Sequence, residues 1–148
     1  VKISTDRFGE VEVPADALVT FPDGLPGIDA KRFALVPDPQ AARVQWLQAL
    51  GDPSAAWMTV RPDELGVPFD PHFKPGETLG LKAERHEDLE CRVIAWTDAQ
   101  GALWLNLFAP LLIHRAVGLA MQLPLVGSGY SPKQPWPDPS PSDNVLGP

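Results

Sequence analysis

The chain has 148 residues, with 18 prolines, 12 glycines, one cysteine and a net charge of −7, and an isoelectric point near 4.8. So acidic a surface repels a nucleic-acid backbone and suits a basic protein partner, while a single cysteine rules out an internal disulfide and fits a reducing compartment. Prolines and glycines leave almost no window for a long helix, so one all-β domain, a sandwich or barrel, is expected.

No signal peptide, lipidation motif or membrane-length apolar run is visible, which points to a soluble cytoplasmic protein. In chain order, Val1–Thr5 and Glu10–Val13 alternate apolar and polar residues around Asp6-Arg7-Phe8-Gly9, the pattern of a hairpin. Leu18–Phe21 is apolar and runs into Phe21-Pro22-Asp23-Gly24-Leu25-Pro26-Gly27. Two successive turn signals there predict a rigid loop packed by Phe21, Leu25 and Ile28. Arg32–Val36 and Ala55–Val60 read as strands; Val44–Leu50 has a mixed period that suits a strand or a helix.

Arg61 to Gly80 carries Pro62, Pro68, Pro71 and Pro75 among acidic and apolar residues, with one helical turn possible over Glu77–Leu81. So long an irregular connection in a small domain is the first candidate for a partner surface. Leu89–Thr97 is the clearest strand. Its face of Glu90, Arg92, Ile94 and Trp96 begins charged and ends apolar, as though running from the rim into the core.

A turn at Asp98–Gly101 leads into Leu103–Ile113, an apolar run broken by Asn106 and Pro110. Proline removes a ladder donor, so two short strands hinged at Ala109-Pro110 are expected, with Asn106 tying a neighbouring loop to the hinge. Leu119–Val126 contains Pro124 and reads as an edge strand. From Ser131 the chain is proline-rich and polar; it is expected to stay loose or to lie extended with Trp136 as anchor.

Chemistry-bearing patterns are few. His72, His86, His114 and Cys91 lack the close spacing of zinc ligands, so no metal is expected. Gly127-Ser128-Gly129 is not a nucleophile elbow, no glycine-rich phosphate loop precedes a helix, and no carboxylate pair stands out as acid and base. A non-enzymatic protein without cofactors is expected.

Several stretches, in order and spacing, resemble the bacterial flagellar assembly factor FliW family. They are Phe8–Val13, Phe21–Gly27, Trp46–Leu50 with Asp52-Pro53, Glu87-Asp88-Leu89, Asn106–Ile113 and Gly129-Tyr130-Ser131. The resemblance implies a small antiparallel β-barrel with irregular loops over residues 1–131 and a proline-rich C-terminal tail over 132–148. It implies a protein that is monomeric when free and binds two alternative partners, flagellin and CsrA, a basic RNA-binding repressor of flagellin translation. Flagellin that accumulates would occupy the protein and free CsrA; export of flagellin would release the protein to sequester CsrA. The alternative is a small peptide- or ligand-binding barrel, for example a flagellin chaperone with no CsrA role. For an acidic partner surface, charge and loop position select Asp63, Glu64, Asp70 and Glu77. Asn106, Phe108 and Pro110 carry the family motif and are assigned a flagellin-facing or loop-supporting role.

Overall fold

The computed structural model describes residues 1–137; the stretch 138–148 of the expected tail lies outside the described residues. Strands β1 (Lys2–Thr5) and β2 (Gly9–Glu12) form the expected hairpin as a separate two-stranded ribbon. The main sheet holds β3 (Leu18–Thr20), β4 (Arg32–Pro37), β5 (Gln45–Ala49), β6 (Ala56–Val60), β7 (Glu90–Thr97), β8 (Leu103–Leu105), β9 (Leu111–His114), β10 (Leu119–Gln122) and β11 (Gln134–Pro135). Its order is β11-β8-β7-β6-β5-β4-β3-β10-β9, and β9 pairs back onto β7, which closes seven strands into a barrel.

Proline placement explains how the barrel closes. β7 is long enough to serve two partners: Ala95–Thr97 pairs with β8, and Glu90–Arg92 pairs with β9. Between β8 and β9 the chain must leave one half of β7 and join the other, and Asn106 to Pro110 makes that crossing as the expected hinge. The short strands on either side are thus two pieces of one apolar run, separated where proline forbids a ladder bond.

Every strand pairing is antiparallel except the seam between β3 and β10, where Leu119 lies beside Thr20 in parallel and Thr20 N–H donates to Gly118 O at 2.8 Å. Gly118 makes this approach with φ +69°, and a Cβ there would sit 3.2 Å from Leu18 O. Gly118→Ala is therefore expected to cost about 1–2 kcal/mol, the usual penalty of left-handed backbone for an L side chain. Urea denaturation measures it; unchanged stability would show that the seam tolerates a side chain.

Alternation sorts the core. Val19, Phe33, Leu35, Leu47, Leu111 and Ile113 fill the barrel. The loop after β3 is its plug: Gly24 N–H donates to Phe21 O and Ile28 N–H to Leu25 O, at 2.8 and 3.1 Å, so the two expected turns stack. Phe21 is fully buried and meets Phe33 edge to face, with ring centroids 5.3 Å apart. Outside the barrel, Ile3 and Val13 of the ribbon region cover Ala34 and Val36. Trp136 is 9% exposed and packs with Val60, Leu105 and Leu107, beside β11 paired on β8.

Three expectations are resolved or corrected. The ambiguous Val44–Leu50 stretch is strand, because pairing with both β4 and β6 outweighs its mixed period. β10 is not an edge: it lies between β3 and β9 and stops at Gln122, before Pro124. The charged residues of β7 are no more exposed than its apolar end: Glu90 is half-buried at the edge of a groove and Arg92 is buried. Arg92 is 3% exposed, whereas Trp96 is half-buried and Thr97 exposed.

Arg92 can lie buried beside the apolar Leu111 because polar groups of neighbouring strands reach its donors. Arg92 Nε donates to Thr59 Oγ1 at 2.9 Å and Nη1 to Glu90 Oε2 at 2.9 Å. Arg115 Nε reaches Glu90 Oε1 at 3.1 Å, and its Nη2 reaches Gln45 Oε1 at 2.9 Å. Thr59 Oγ1 in turn donates to Gln45 O at 2.7 Å. A buried guanidinium is tolerated only when its donors are met in this way.

Candidate partner-binding surface

The irregular segment between β6 and β7 folds as short 3-10 turns at Pro62–Leu65, Pro75–Leu81 and His86–Asp88, joined by extended chain. Prolines at the starts of the first two supply the fixed φ that such turns need without sacrificing an internal donor. Asp63 and Glu64 are exposed on the first turn and both face Arg61, at 3.1 and 3.8 Å. Asp70 is exposed on the extended chain, 3.7 Å from His72. Glu77 is exposed on the second turn, where its Oε1 accepts the Lys74 N–H at 2.8 Å.

A ridge of two aromatic rings divides this surface. Phe69 meets Tyr130 edge to face at 4.7 Å, and the Tyr130 hydroxyl accepts the Asp70 N–H at 2.9 Å. On one side lies a groove of about 370 Å³ whose lining includes Arg61, Asp63, Phe69, Glu87, Asp88, Glu90 and Cys91. On the other lies a cleft of about 470 Å³ between Asp70, His72 and Glu77 and the turn from Pro124 to Tyr130. The four acidic residues selected from the sequence are thereby divided: Asp63 lines the groove, Asp70 and Glu77 line the cleft, and Glu64 stands beside Asp63 on the same turn.

The hinge supports the cleft from beneath. Asn106 is half-buried and its Oδ1 accepts the Phe108 and Ala109 N–H groups, each at 3.1 Å. It therefore fastens the hinge to itself instead of tying another loop to it. The tie is made by the backbone: Phe108 O accepts the Leu125 N–H at 2.7 Å, and Pro110 O accepts the Leu123 N–H at 3.0 Å. Phe108 is half-buried and Pro110 buried. The motif residues and the acidic pair Asp70 and Glu77 are thus linked through Leu123–Tyr130, a connection between stretches about fifty residues apart.

Glu87, Asp88, Val126 and Tyr130 also belong to this surface, and sequence reasoning did not select them. Glu87-Asp88 offers a signal, an acidic pair just before a strand. Val126 offers none, since a valine before a glycine turn is ordinary loop chemistry.

Three groups lining the groove are shifted by their surroundings. Burial, and then the charge of Asp63, pushes the Cys91 thiol up to about 12, so it stays protonated and poorly nucleophilic. Burial pushes Glu90 upward, but hydrogen bonds from Arg115 and Arg92 outweigh it and hold the carboxyl below its usual range. Asp88 is likewise held low, chiefly by the Arg85 N–H. Among the described residues, no three His, Cys, Asp or Glu side chains converge on a possible metal position. No helix there is long and apolar enough to cross a membrane. What the surface presents is fixed negative charge beside partly exposed apolar side chains, a combination that suits recognition of a basic, amphipathic partner.

Comparison with known proteins agrees with this architecture. The family model described as FliW protein matches residues 2–136. The flagellar assembly factor FliW of Heliobacterium modesticaldum is 30% identical over 138 residues, covering 90% of this chain and 88% of the relative. That of Moorella thermoacetica is 31% identical over 142 residues, covering 88% and 85%. A crystal structure of the flagellar assembly factor FliW superposes with a TM-score of 0.81 at 24% identity, covering 93% of this chain and 98% of that one. With a family match over almost all of the described residues and relatives aligned along most of their own length, this chain belongs to the FliW family of flagellar assembly factors.

Proposed function

We propose that the chain acts by binding proteins, without catalysis, in the cytoplasm. It sequesters the translational repressor CsrA and, alternatively, flagellin, so that occupancy by flagellin frees the repressor and export of flagellin withdraws it. The observation that carries this reading is the acidic surface flanking the Phe69–Tyr130 ridge, on a chain of net charge −7. A basic RNA-binding protein is the partner whose charge complements it. Once docked, the same carboxylates would stand near incoming phosphates and lower RNA affinity by repulsion, without needing to cover the RNA site.

The test is calorimetric titration of the free protein, expected to be monomeric, against purified CsrA of the same organism, at low and high salt. Binding is expected at low salt and should weaken by roughly tenfold at about 0.3 M, where screening shortens the reach of surface charge to a few ångströms. Flagellin added to the complex is expected to displace CsrA. Absence of CsrA binding at low salt would overturn this reading, and binding of flagellin alone would then identify a chaperone.

A further inference from the structure

We infer that the cleft between Asp70, Glu77 and the Pro124–Tyr130 turn is the subsite where the basic repressor inserts an aliphatic side chain flanked by lysine or arginine. The inference rests on the binding reading above and assigns that reading a place. The acidic residues around the ridge are not equivalent. Asp63 and Glu64 already share Arg61, and Asp88 has Arg85 at 3.5 Å. The cleft has no lysine or arginine in its lining, and the cationic candidate beside Asp70 is His72, itself exposed to solvent. Asp70 and Glu77 therefore form a pair of carboxylates that no lysine or arginine of the cleft neutralises.

The same cleft offers an apolar contact. Val126 is 86% exposed and is held outward by a tight turn, in which Ser128 N–H donates to Leu125 O at 3.1 Å and Gly127 takes φ +78°. An isolated exposed valine is unremarkable on its own; one that lines the same cleft as two carboxylates forms an amphipathic seat. The seat is also built in advance. Tyr130 anchors the Asp70 backbone on one wall, and the hinge carbonyl of Phe108 anchors Leu125 on the other. Preformed walls spare the ordering cost that a mobile loop would impose on binding. At about 470 Å³ the space suits one or two side chains of an extended segment and is too small for a folded element.

The test compares three full-length variants with the unmodified chain, titrating each with purified CsrA and, separately, with flagellin, at low and high salt. The double variant Asp70→Asn, Glu77→Gln is expected to bind CsrA about tenfold more weakly at low salt and to lose most of the salt dependence. Val126→Ser is expected to weaken CsrA binding about threefold or more at both salt concentrations, because it removes an apolar contact and no charge. The control Glu10→Gln, Glu12→Gln makes the same change in charge on the β1–β2 ribbon and is expected to remain within twofold. Melting curves matching the unmodified chain establish that all three fold. The subsite is overturned if the Asp70/Glu77 variant binds CsrA within twofold of the unmodified chain, if the ribbon control loses as much, or if flagellin binding falls instead. Failure of the unmodified chain to bind CsrA at low salt overturns the underlying reading, and this inference with it.

Discussion

Arg92→Ala is expected to lower folding stability by about 3–5 kcal/mol, the range seen when one partner is removed from a buried ion pair. Arg92 is 3% exposed and ties its own strand to β6 and to the chain before β5: its guanidinium joins Thr59 of β6, Glu90 of β7 and the Arg43 carbonyl. Alanine would leave the Glu90 carboxylate dependent on Arg115 and strip the buried Thr59 hydroxyl of a donor. Arg92→Met should lose less, since it refills part of the volume. Denaturant titration of both variants separates lost packing from lost pairing. If alanine and methionine were equally harmless, the polar network would be dispensable.

The same network sets an acid limb. Glu90 has its folded pKa below the unfolded value of about 4.5, so its contribution is fully present above that value and fades as pH falls through the depressed one. Glu90→Gln should therefore reduce stability at neutral pH and flatten the decline below about pH 4.5. An unchanged slope in that range would exclude Glu90 as a source of acid sensitivity.

Phe21→Ala is the second large effect, expected to cost about 3–5 kcal/mol and to lower the melting temperature by about 10 °C. Phe21 carries no accessible surface; it plugs the barrel from a loop and rests on Phe33 and Leu25. Phe21 is held between β3 and the two hydrogen-bonded turns that follow it, so the backbone has little freedom to collapse into the space left behind. Phe21→Leu should retain more than half of the lost stability by filling most of that space. Calorimetric melting of the pair tests this. A loss below about 1 kcal/mol for alanine would mean that the loop relaxes into the cavity.

The candidate surface is only partly legible from local sequence. Position in a proline-rich connection pointed to Asp63, Glu64, Asp70 and Glu77, and the structure places all four on exposed chain around one ridge. Nothing in their neighbourhood indicated that Asp63 and Glu64 would share Arg61 while Asp70 and Glu77 would line one cleft with Val126. Asn106 shows the same division. Its place before a proline hinge marked it as a fastener, but which groups it fastens depended on how the chain crosses from β8 to β9.

Local sequence was enough for the β class, the ribbon hairpin, the rigid double turn at Phe21–Gly27 and the break at Pro110. Each rests on conformational preferences that act within a few residues: proline's fixed φ, glycine's positive φ and the two-residue period of a strand. Only the tertiary structure decided the parallel seam between β3 and β10, the internal position of β10 and the burial of Arg92. It also decided the meeting of the Asp70–Glu77 chain with the Pro124–Tyr130 turn. Each of these depends on groups remote in sequence. A strand's neighbours are chosen by closure of the whole sheet, and a charge may be buried only when distant donors and acceptors arrive to satisfy it.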